Sequence, residues 1–367
     1  MGAGCDVAIA GGGIVGAACA WACATAGLKV AVAEPGPIGG GATAAGMGHI
    51  VLMDDSPAQL ALTLYSRALW MELAAELPAE AEYLPCGTIW VAADEEETAE
   101  VWRKQTRCER MGVRAEALDA AQLAEAEPHL RAGLAGGLLI PDDSTIYPPC
   151  VALWLLERSG AAVVRERVIE ISGHGLRFAG GAFLEAGVTV NATGAWAPEL
   201  APGLAVNRRK GHLAITDRYP GFVRYALVEL GYVKSAHAGS GDSVAFNAQP
   251  RRSGQVLVGS SRQFSETREV EAPMLARMLR RCVEYIPELT GLDVIRTWTG
   301  FRAATPDNLP LIGPCAGDER MYLATGHEGL GITTSLATGR LIADQILGAT
   351  PAIPVAPYLP GRVMEGH

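Results

Sequence analysis

The sequence predicts an α/β protein of two domains, one of which is built around a parallel sheet from both ends of the chain. Three observations predict this fold. Residues 6–34 read as strand, glycine turn, helix and strand, residues 212–258 change to short alternating strands with turn signals, and residues 321–347 return to strand, glycine loop and helix. The middle segment therefore predicts an α+β second domain with a mixed, largely antiparallel sheet.

The N-terminal unit carries a dinucleotide-binding fingerprint. Gly11, Gly13 and Gly16 follow the first strand directly, and a helix of small apolar residues, 17–26, comes next. The first glycine allows a tight turn, the second lets backbone approach a pyrophosphate, and the third lets the helix pack closely on the strand. The helix N-terminus favours phosphate, and Glu34, after the second strand, is placed to bind a ribose diol. This order predicts a dinucleotide site, although the fingerprint alone does not separate NAD from FAD.

A run of small residues, 39–49, follows the ribose-binding acid. A flexible loop is the simpler interpretation. Glycine also suits places where backbone must approach a ligand closely. We therefore expect this run to contact the cofactor through backbone N–H groups and the hydroxyl of Thr43.

The rest of the chain contains further helix and strand patterns. Helical spacing and stop signals predict helices at 57–76, 95–111, 118–128, 150–158, 274–285 and 333–347. Short apolar runs predict strands at 136–140, 161–171 and 188–191, and turns at 239–242 and 252–254. The expected domain boundaries are 1–75, 140–211 and 298–367 for the cofactor domain, and 76–139 and 212–297 for the substrate domain.

Composition limits the class of protein. The 367 residues are 49% apolar and 19% charged, which is typical of a globular chain. A formal net charge of −10 argues against nucleic acid or an anionic membrane as a partner. No apolar stretch approaches the length of a transmembrane helix, and the first strand begins too early to leave room for a signal peptide, so we expect a cytoplasmic protein. The eight cysteines are scattered, without metal-binding spacing.

Three separated motifs together resemble one family. They are the fingerprint with Glu34, the turn 191–196 (Asn-Ala-Thr-Gly-Ala-Trp), and the C-terminal run from Trp298-Thr-Gly-Phe-Arg302 to the glycine loop 326–331. Over nearly the full length they resemble the flavin-dependent D-amino-acid oxidase superfamily, which includes glycine oxidases and D-amino-acid dehydrogenases. The segments 46–49 and 326–331 are most similar to those of β subunits of amine dehydrogenases that act on D-hydroxyproline, L-proline, opines or, in hydrogen cyanide synthase, glycine.

The resemblance implies FAD in a Rossmann-like domain of the GR2 type. Sarcosine oxidases tether their flavin through a cysteine close to the position of Gly300, and this chain has none there, so we expect non-covalent FAD. The expected cofactor-binding residues are Gly11, Gly13, Ile14, Val15, Gly16, Glu34, Gly41, Thr43, Ala44, Gly46, Met47, Gly48, Val168, Ala192, Thr193, Gly194, Trp196, Gly300, Arg302, Gly326, His327, Gly329, Leu330, Gly331, Ile332 and Thr333.

Arg302 is the main candidate for substrate binding. Its place in the motif implies a role in pairing with a substrate carboxylate, for which the planar fork of a guanidinium is well suited. A purely structural arginine is the alternative. His49 and His327 lie in loops expected near the flavin, where a histidine exchanges protons, contacts substrate or simply completes a hydrogen bond. Phe246 or Asn247 falls where the family places a substrate-pocket aromatic residue.

The expected reaction is FAD-dependent oxidation of a small amino acid with a primary or secondary amine to the imine, by hydride transfer to flavin N5. D-hydroxyproline, D-proline and other D-amino acids are the expected substrates, and the expected enzyme is a dehydrogenase. Alternatives are a stand-alone glycine or D-amino-acid oxidase that uses O2, and the β subunit of an opine or L-proline dehydrogenase. Two further interpretations are a flavoprotein subunit without its own active site and an NAD-dependent dehydrogenase. In an oxidase the electrons pass to O2, and in a dehydrogenase they pass to a partner subunit. The expected assembly is a complex with such a subunit or a homo-oligomer.

Overall fold

A computed structural model describes residues 4–231 and 241–363 of the chain. Short 3₁₀ turns aside, nine helices and nineteen strands lie within these ranges. The helices are α1 (Ile14–Thr25), α2 (Ala42–Ala45), α3 (Pro57–Leu73), α4 (Glu95–Arg110), α5 (Ala120–Ala126), α6 (Pro148–Ser159), α7 (Ala197–Leu200), α8 (Ala272–Tyr285) and α9 (Gly331–Leu347). The strands are β1 (Cys5–Ala10), β2 (Val30–Ala33), β3 (His49–Ile50), β4 (Thr88–Ala92), β5 (Glu116–Asp119), β6 (Gly136–Ile140), β7 (Ser144–Thr145), β8 (Ala162–Val164), β9 (Val168–Ser172), β10 (Gly175–Phe178), β11 (Phe183–Asn191), β12 (Asn207–Arg218), β13 (Ala226–Glu229), β14 (Ser243–Pro250), β15 (Gln255–Phe264), β16 (Val294–Ala304), β17 (Leu311–Cys315), β18 (Asp318–Thr325) and β19 (His327–Glu328).

The first sheet has a parallel centre of order β18-β11-β1-β2-β8. β17 adds an antiparallel edge, and β9 and β10 form an antiparallel extension of β11. At the centre of this sheet, β1 and β2 are mainly apolar and almost fully buried, as expected of strands covered on both faces. Both ends of the chain contribute strands, which confirms the predicted fold of this part.

The second sheet is mixed and largely antiparallel, with order β19-β16-β12-β15-β14-β13-β4-β6-β5. Its parallel pair is β4 with β13. The fold class is therefore as predicted, but the expectation of short strands is wrong. β12 and β15 have 12 and 10 residues, because register shifts keep these long strands paired across irregularities. The turn predicted at 239–242 lies partly outside the described residues. Lys234 and His237, which the sequence predicts as solvated positions of the second domain, lie wholly outside them.

Close helix crossings rest on small residues. α1 consists mainly of Ala, Gly and Cys, and it packs against α9, where a Cβ on Gly339 would lie 2.4 Å from the carbonyl oxygen of Ala18. Ser56 caps the N-terminus of α3, because its hydroxyl accepts a hydrogen bond from the Gln59 N–H (3.1 Å), and Pro57 occupies the first helical position. α1 and α3 both pack against the C-terminal helix, α9.

Most helices and strands predicted from local sequence patterns agree with those observed. The predicted helix at 17–26 begins three residues earlier, at Ile14, because the last glycine of the fingerprint lies inside the first helical turn. The domain boundaries stay a prediction, and three strands of the mixed sheet, β6, β12 and β16, cross the expected boundaries at 139/140, 211/212 and 297/298. Within residues 4–231 and 241–363, no helix combines the length and apolarity that crossing a bilayer requires.

Candidate active site

A cavity of about 730 Å³ lies where the glycine turn of the parallel sheet meets the mixed sheet. Its wall contains residues of the fingerprint, the small-residue run, the mixed sheet and the start of α9. Most of the predicted site residues border it. Those that do are Gly11, Gly13, Ile14, Val15, Glu34, Gly41, Thr43, Gly46, Met47, Gly48, His49, Val168, Ala192, Thr193, Gly194, Trp196, Asn247, Gly300, Arg302, His327, Gly329, Leu330, Gly331 and Ile332.

The three fingerprint glycines differ in what surrounds them. Gly11 has φ +106°, and a Cβ there would lie 2.5 Å from the Ala192 carbonyl oxygen. A Cβ on Gly16 would lie 2.0 Å from the Gly11 carbonyl oxygen, so this glycine serves helix–strand packing and does not border the cavity. A Cβ on Gly13 would meet only the Thr43 hydroxyl, at 3.3 Å. The turn is therefore open at Gly13, as close approach of a pyrophosphate requires.

Polar groups flank this opening. The Ile14 N–H, at the start of α1, donates to the Thr43 hydroxyl oxygen (3.0 Å), which leaves the Thr43 hydroxyl proton for another acceptor. Glu34 accepts from the Gly12 N–H and the Gly36 N–H, both at 2.9 Å, one on each carboxylate oxygen. Each oxygen keeps a lone pair, so this carboxylate fits a ribose diol. The helix N-terminus, the open glycine and the acid together fit the adenosine and phosphate portion of a dinucleotide.

The small-residue run is packed, not a free loop. A Cβ on Gly300 of β16 would lie 2.3 Å from the Ala45 Cβ, and the Trp298 indole N–H donates to the Ala45 carbonyl oxygen (3.3 Å). Gly48 has φ +83°, and a Cβ there would lie 2.0 Å from the Ile146 carbonyl oxygen. Small residues are thus required both by the cavity and by the contact with the mixed sheet. Ala44 is exposed and does not border the cavity.

The start of α9 forms another part of the wall. Gly329, Leu330, Gly331 and Ile332 border the cavity, which brings the N–H groups of the first helical turn close to it. Two predicted neighbours have structural places instead, because the Thr333 hydroxyl donates to the His49 carbonyl oxygen (3.0 Å) and Gly326 makes a turn with φ +77°. Neither of these borders the cavity.

Arg302 reaches the cavity from β16 and is half-buried. Its Nη1 donates to the Ser261 carbonyl oxygen (2.9 Å), and two glycines lie beside the guanidinium. A Cβ on Gly211 would lie 2.5 Å from Nη1, and one on Gly329 would lie 3.7 Å from Nε. Among the described residues no carboxylate forms an ion pair with Arg302. Most of its five donors are therefore available to a ligand.

A buried carboxylate, Glu328, lies close to Arg302. It forms ion pairs with Arg209 (3.6 Å) and Arg262 (3.4 Å), and all three side chains are less than a tenth exposed. Burial raises the pKa of Glu328, but the nearby guanidinium charges outweigh burial and hold the pKa below its usual value. This end of the cavity therefore has more cationic than anionic side chains, which favours a carboxylate ligand.

His49 is held by a buried hydrogen-bond chain. Its Nε2 lies 2.8 Å from the Thr88 hydroxyl, which bonds to the carboxylate of Asp143, and Asp143 pairs with Arg67 (2.9 Å). Because the Thr88 proton points to the carboxylate, Thr88 accepts the Nε2–H of His49. Burial, with a smaller effect of the Arg67 charge, lowers the pKa of His49 to about 3. Burial also raises the pKa of Asp143 to about 6. At neutral pH His49 is an uncharged part of the cavity wall.

His327 is also neutral. Its Nε2 lies 3.0 Å from the Thr338 hydroxyl, which donates to the Thr334 carbonyl oxygen (2.9 Å), so Nε2 carries the imidazole proton. Burial lowers the pKa of His327 to about 3. The imidazole therefore ties the glycine loop to α9, in line with the structural alternative considered for this residue.

The structure separates Phe246 from Asn247. Asn247 borders the cavity, whereas the fully buried Phe246 does not and stacks on Tyr285 of α8, with ring centroids 4.4 Å apart. Successive residues of a strand point to opposite faces of the sheet, so only one of the two can face the cavity. The expectation of a pocket aromatic at this position is therefore not met by Phe246.

Sequence reasoning missed several wall residues. Gln249 and Arg262 border the cavity from β14 and β15, and Trp90 borders it from β4. Arg268 also borders it, with its guanidinium 5.0 Å from the centroid of the Trp196 ring. Alternation along β14 places Gln249 on the same face as Asn247, so the sequence pattern could have predicted Gln249 as a wall residue. The others depend on strand pairing that no local motif reports.

Residues 6–345 match the family of FAD dependent oxidoreductases known as DAO, and the chain belongs to this family. Glycine oxidase of Geobacillus kaustophilus is 31% identical, over 96% of each chain. Subunit HcnC of the hydrogen cyanide synthase of Pseudomonas aeruginosa is 29% identical, over 97% of this chain and 96% of the relative. The crystal structure of the Geobacillus glycine oxidase superposes with a TM-score of 0.86 at 29% identity and covers 97% of this chain and 98% of that one.

The chain is therefore an FAD-dependent oxidoreductase. The family match decides between the NAD and FAD interpretations of the fingerprint in favour of FAD. The open glycine turn, Glu34 and the start of α9 fit this cofactor. Within residues 4–231 and 241–363, no group of His, Cys, Asp and Glu side chains has an arrangement that could hold a metal ion.

Proposed function

We propose that the chain oxidises a small amino acid, with a primary or secondary amine, to the imine. The observation that carries this proposal is Arg302, a half-buried arginine on the cavity wall with most of its donors available and no ion pair among the described residues. Bidentate binding of a carboxylate by Arg302 orients the amine-bearing carbon toward the cofactor. The relatives named above include glycine oxidases, whose substrate is an amino acid.

Each part of the wall has a task in this reaction. Bound FAD supplies the hydride acceptor. The residues predicted to hold it are those around Gly13, Glu34 and the start of α9, where helix N–H groups favour negative charge. His49 and His327 are neutral at physiological pH, so neither repels a substrate ammonium group. The substrate amine loses its own proton to solvent before hydride transfer.

We propose a dehydrogenase with non-covalent FAD. None of the eight cysteines borders the cavity, which supports non-covalent binding by the described residues. HcnC is by name a subunit, which supports a partner subunit as electron acceptor. D-hydroxyproline and D-proline are the first substrates to test, and an oxidase that passes electrons to O2 is the second candidate. The domain division at 75/76, 139/140, 211/212 and 297/298 is part of the same proposal.

Replacing Arg302 with alanine tests the central role. FAD reduction is followed at the flavin absorbance band without oxygen while amino acids are added. We expect Arg302→Ala to weaken substrate binding about 100-fold, since charge-assisted hydrogen bonds to a carboxylate are lost. Arg296→Ala is the matched control, because Arg296 lies on the same strand outside the cavity wall. Unchanged reduction of FAD by the amino acid in Arg302→Ala would rule out the assigned role.

Exposure to air separates the two electron acceptors. The protein is mixed with cis-4-hydroxy-D-proline in air-saturated buffer, and the flavin band is recorded over time. Bleaching that persists indicates a dehydrogenase that needs a partner acceptor, whereas bleaching that recovers quickly with formation of hydrogen peroxide indicates an oxidase. If no amino acid of a broad panel bleaches the band, the proposal of amino-acid oxidation is wrong.

A further inference from the structure

Two amide side chains, Asn247 and Gln249, border the cavity with orphaned polar atoms. Oδ1 of Asn247 and both Oε1 and Nε2 of Gln249 are buried without a hydrogen-bond partner. Gln249 has 0% of its surface exposed. Buried polar groups are nearly always paired, and each unpaired one costs about 1–3 kcal/mol. These amides therefore indicate that a ligand supplies their partners.

Both amides lie on the part of the cavity wall that the mixed sheet forms. They are two residues apart on β14 and so point to the same face of the mixed sheet. Asn247 pairs with Val228 of β13, which pairs with Trp90 of β4, and all three border the cavity. On its other side Asn247 pairs with Gly259 of β15. The amides lie on the sheet that also carries Arg302, away from the fingerprint on the parallel sheet.

The distance to Arg302 suits one small molecule. The Arg302 guanidinium lies over Gly211 of β12. Arg302 also donates to the Ser261 carbonyl oxygen of β15, the strand beside β14. Ser261 lies two residues from Gly259, the partner of Asn247, and four residues from Leu257, the partner of Gln249. With the usual strand spacing and rise, the backbone of Asn247 is about 8 Å and that of Gln249 about 14 Å from Ser261. A ligand with a carboxylate at Arg302 thus reaches Asn247 with a side chain of a few atoms and Gln249 with a longer one.

The chemistry of this end is neutral. An amide offers both donors and an acceptor, and His49, which also borders the cavity, is uncharged at neutral pH because burial lowers its pKa to about 3. A hydroxyl group both donates and accepts, so it can satisfy an amide oxygen and an amide N–H together. A second carboxylate would leave the amide oxygens facing negative charge.

We infer that Asn247 and Gln249 form a subsite for an uncharged hydrogen-bonding group, such as a hydroxyl, on the side chain of the amino acid that is oxidised. The inference rests on the proposed function and deepens it. A site built to bond a hydroxyl discriminates against the analogue that lacks it, because the buried amides then stay unpaired.

Matched substrate pairs test this subsite. Cis-4-hydroxy-D-proline is compared with D-proline, and D-serine with D-alanine, by titrating FAD reduction without oxygen. We expect wild type to bind the hydroxylated member of at least one pair about tenfold or more tightly. Gln249→Leu, which replaces the amide with a somewhat shorter apolar side chain, removes most of that preference. Gln105→Leu on α4, outside the cavity wall, retains it.

Each other outcome has a definite meaning. Equal loss of binding for both members of a pair in Gln249→Leu overturns the subsite, as does a preference that survives in Gln249→Leu and Asn247→Leu. A larger FAD dissociation constant, with an unchanged preference for the hydroxylated substrate, assigns the amides to the cofactor instead. Asn247→Leu also serves if Gln249→Leu does not fold, because Asn247 is only partly buried. If amino acids reduce FAD but the hydroxylated members of the pairs are not preferred, only this inference is wrong. If no amino acid reduces FAD, the proposed function is wrong as well.

Discussion

Gly211→Ala tests whether the position of Arg302 controls the reaction. A Cβ at this position would lie 2.5 Å from Nη1, 2.8 Å from Nη2 and 2.9 Å from Cζ of Arg302. An ordinary contact needs about 3.5 Å or more, so the guanidinium must move by roughly 1 Å. The atoms concerned are the far end of a flexible side chain, and the backbone of β12 does not have to shift. We therefore expect little loss of stability.

The kinetic effect is expected to be much larger. A misplacement of about 1 Å at a positioning group can cost about 100-fold in rate. We expect Gly211→Ala to slow the limiting rate of FAD reduction by roughly that factor, with an apparent Tm within about 2 °C of wild type. The FAD dissociation constant, measured by flavin fluorescence, stays unchanged because Gly211 is not among the fingerprint residues.

Gly291→Ala is the control for the glycine-to-alanine change itself. No atom lies within 4 Å of a Cβ at Gly291. This variant is expected to match wild type in Tm and in reduction rate. A Gly211→Ala protein that reduces FAD at the wild-type rate would refute the reasoning, and so would a parallel loss of FAD affinity, since that would indicate general disruption of the cavity.

Four further substitutions test other parts of the site. Thr43→Val leaves the Ile14 N–H without its acceptor, so we expect a loss of about 1–2 kcal/mol in the free energy of unfolding and weaker FAD binding, whereas Thr43→Ser retains both. Gly16→Ala forces α1 away from the Gly11 carbonyl, and we expect a cost of about 1–3 kcal/mol and a lower Tm. Phe246→Leu lowers Tm through the core but leaves the dissociation constant for substrate unchanged. The pKa of His327 is near 6.5 in the unfolded chain and about 3 in the folded one, so unfolding takes up a proton in acid. In denaturant titrations we therefore expect the free energy of unfolding of wild type, relative to His327→Gln, to fall by about 2 kcal/mol between pH 7 and pH 5.

The cofactor half of the site was largely predictable from the sequence. Gly11, Gly13, Gly16 and Glu34 lie within one strand–helix–strand unit, and the roles proposed for them follow from short-range geometry that the spacing itself encodes. The fold class followed from the same kind of local pattern, because strand alternation and helix stop signals depend on neighbouring residues.

The substrate half was less accessible to sequence reasoning. Arg302 was found through a motif, but Gln249 and Arg262 reach the cavity only because β14 and β15 pair with β12 in a particular register. A shift of one residue exchanges the two faces of a strand, which is why Phe246 was expected where Asn247 lies. His49 and His327 border the cavity, and their hydrogen bonds to Thr88 and Thr338 come from segments that no local pattern connects.

The two halves of the cavity also differ in what a mutation can change. On the cofactor side, backbone N–H groups and glycines line the wall, so a substitution there changes the fold and the FAD affinity together. On the substrate side, side chains on a continuous sheet line the wall, and the sheet keeps its hydrogen bonds whatever those side chains are. Asn247 and Gln249 can therefore change without moving the flavin pocket. We therefore propose that the unpaired amides of β14, and not the fingerprint, select the substrate of this chain.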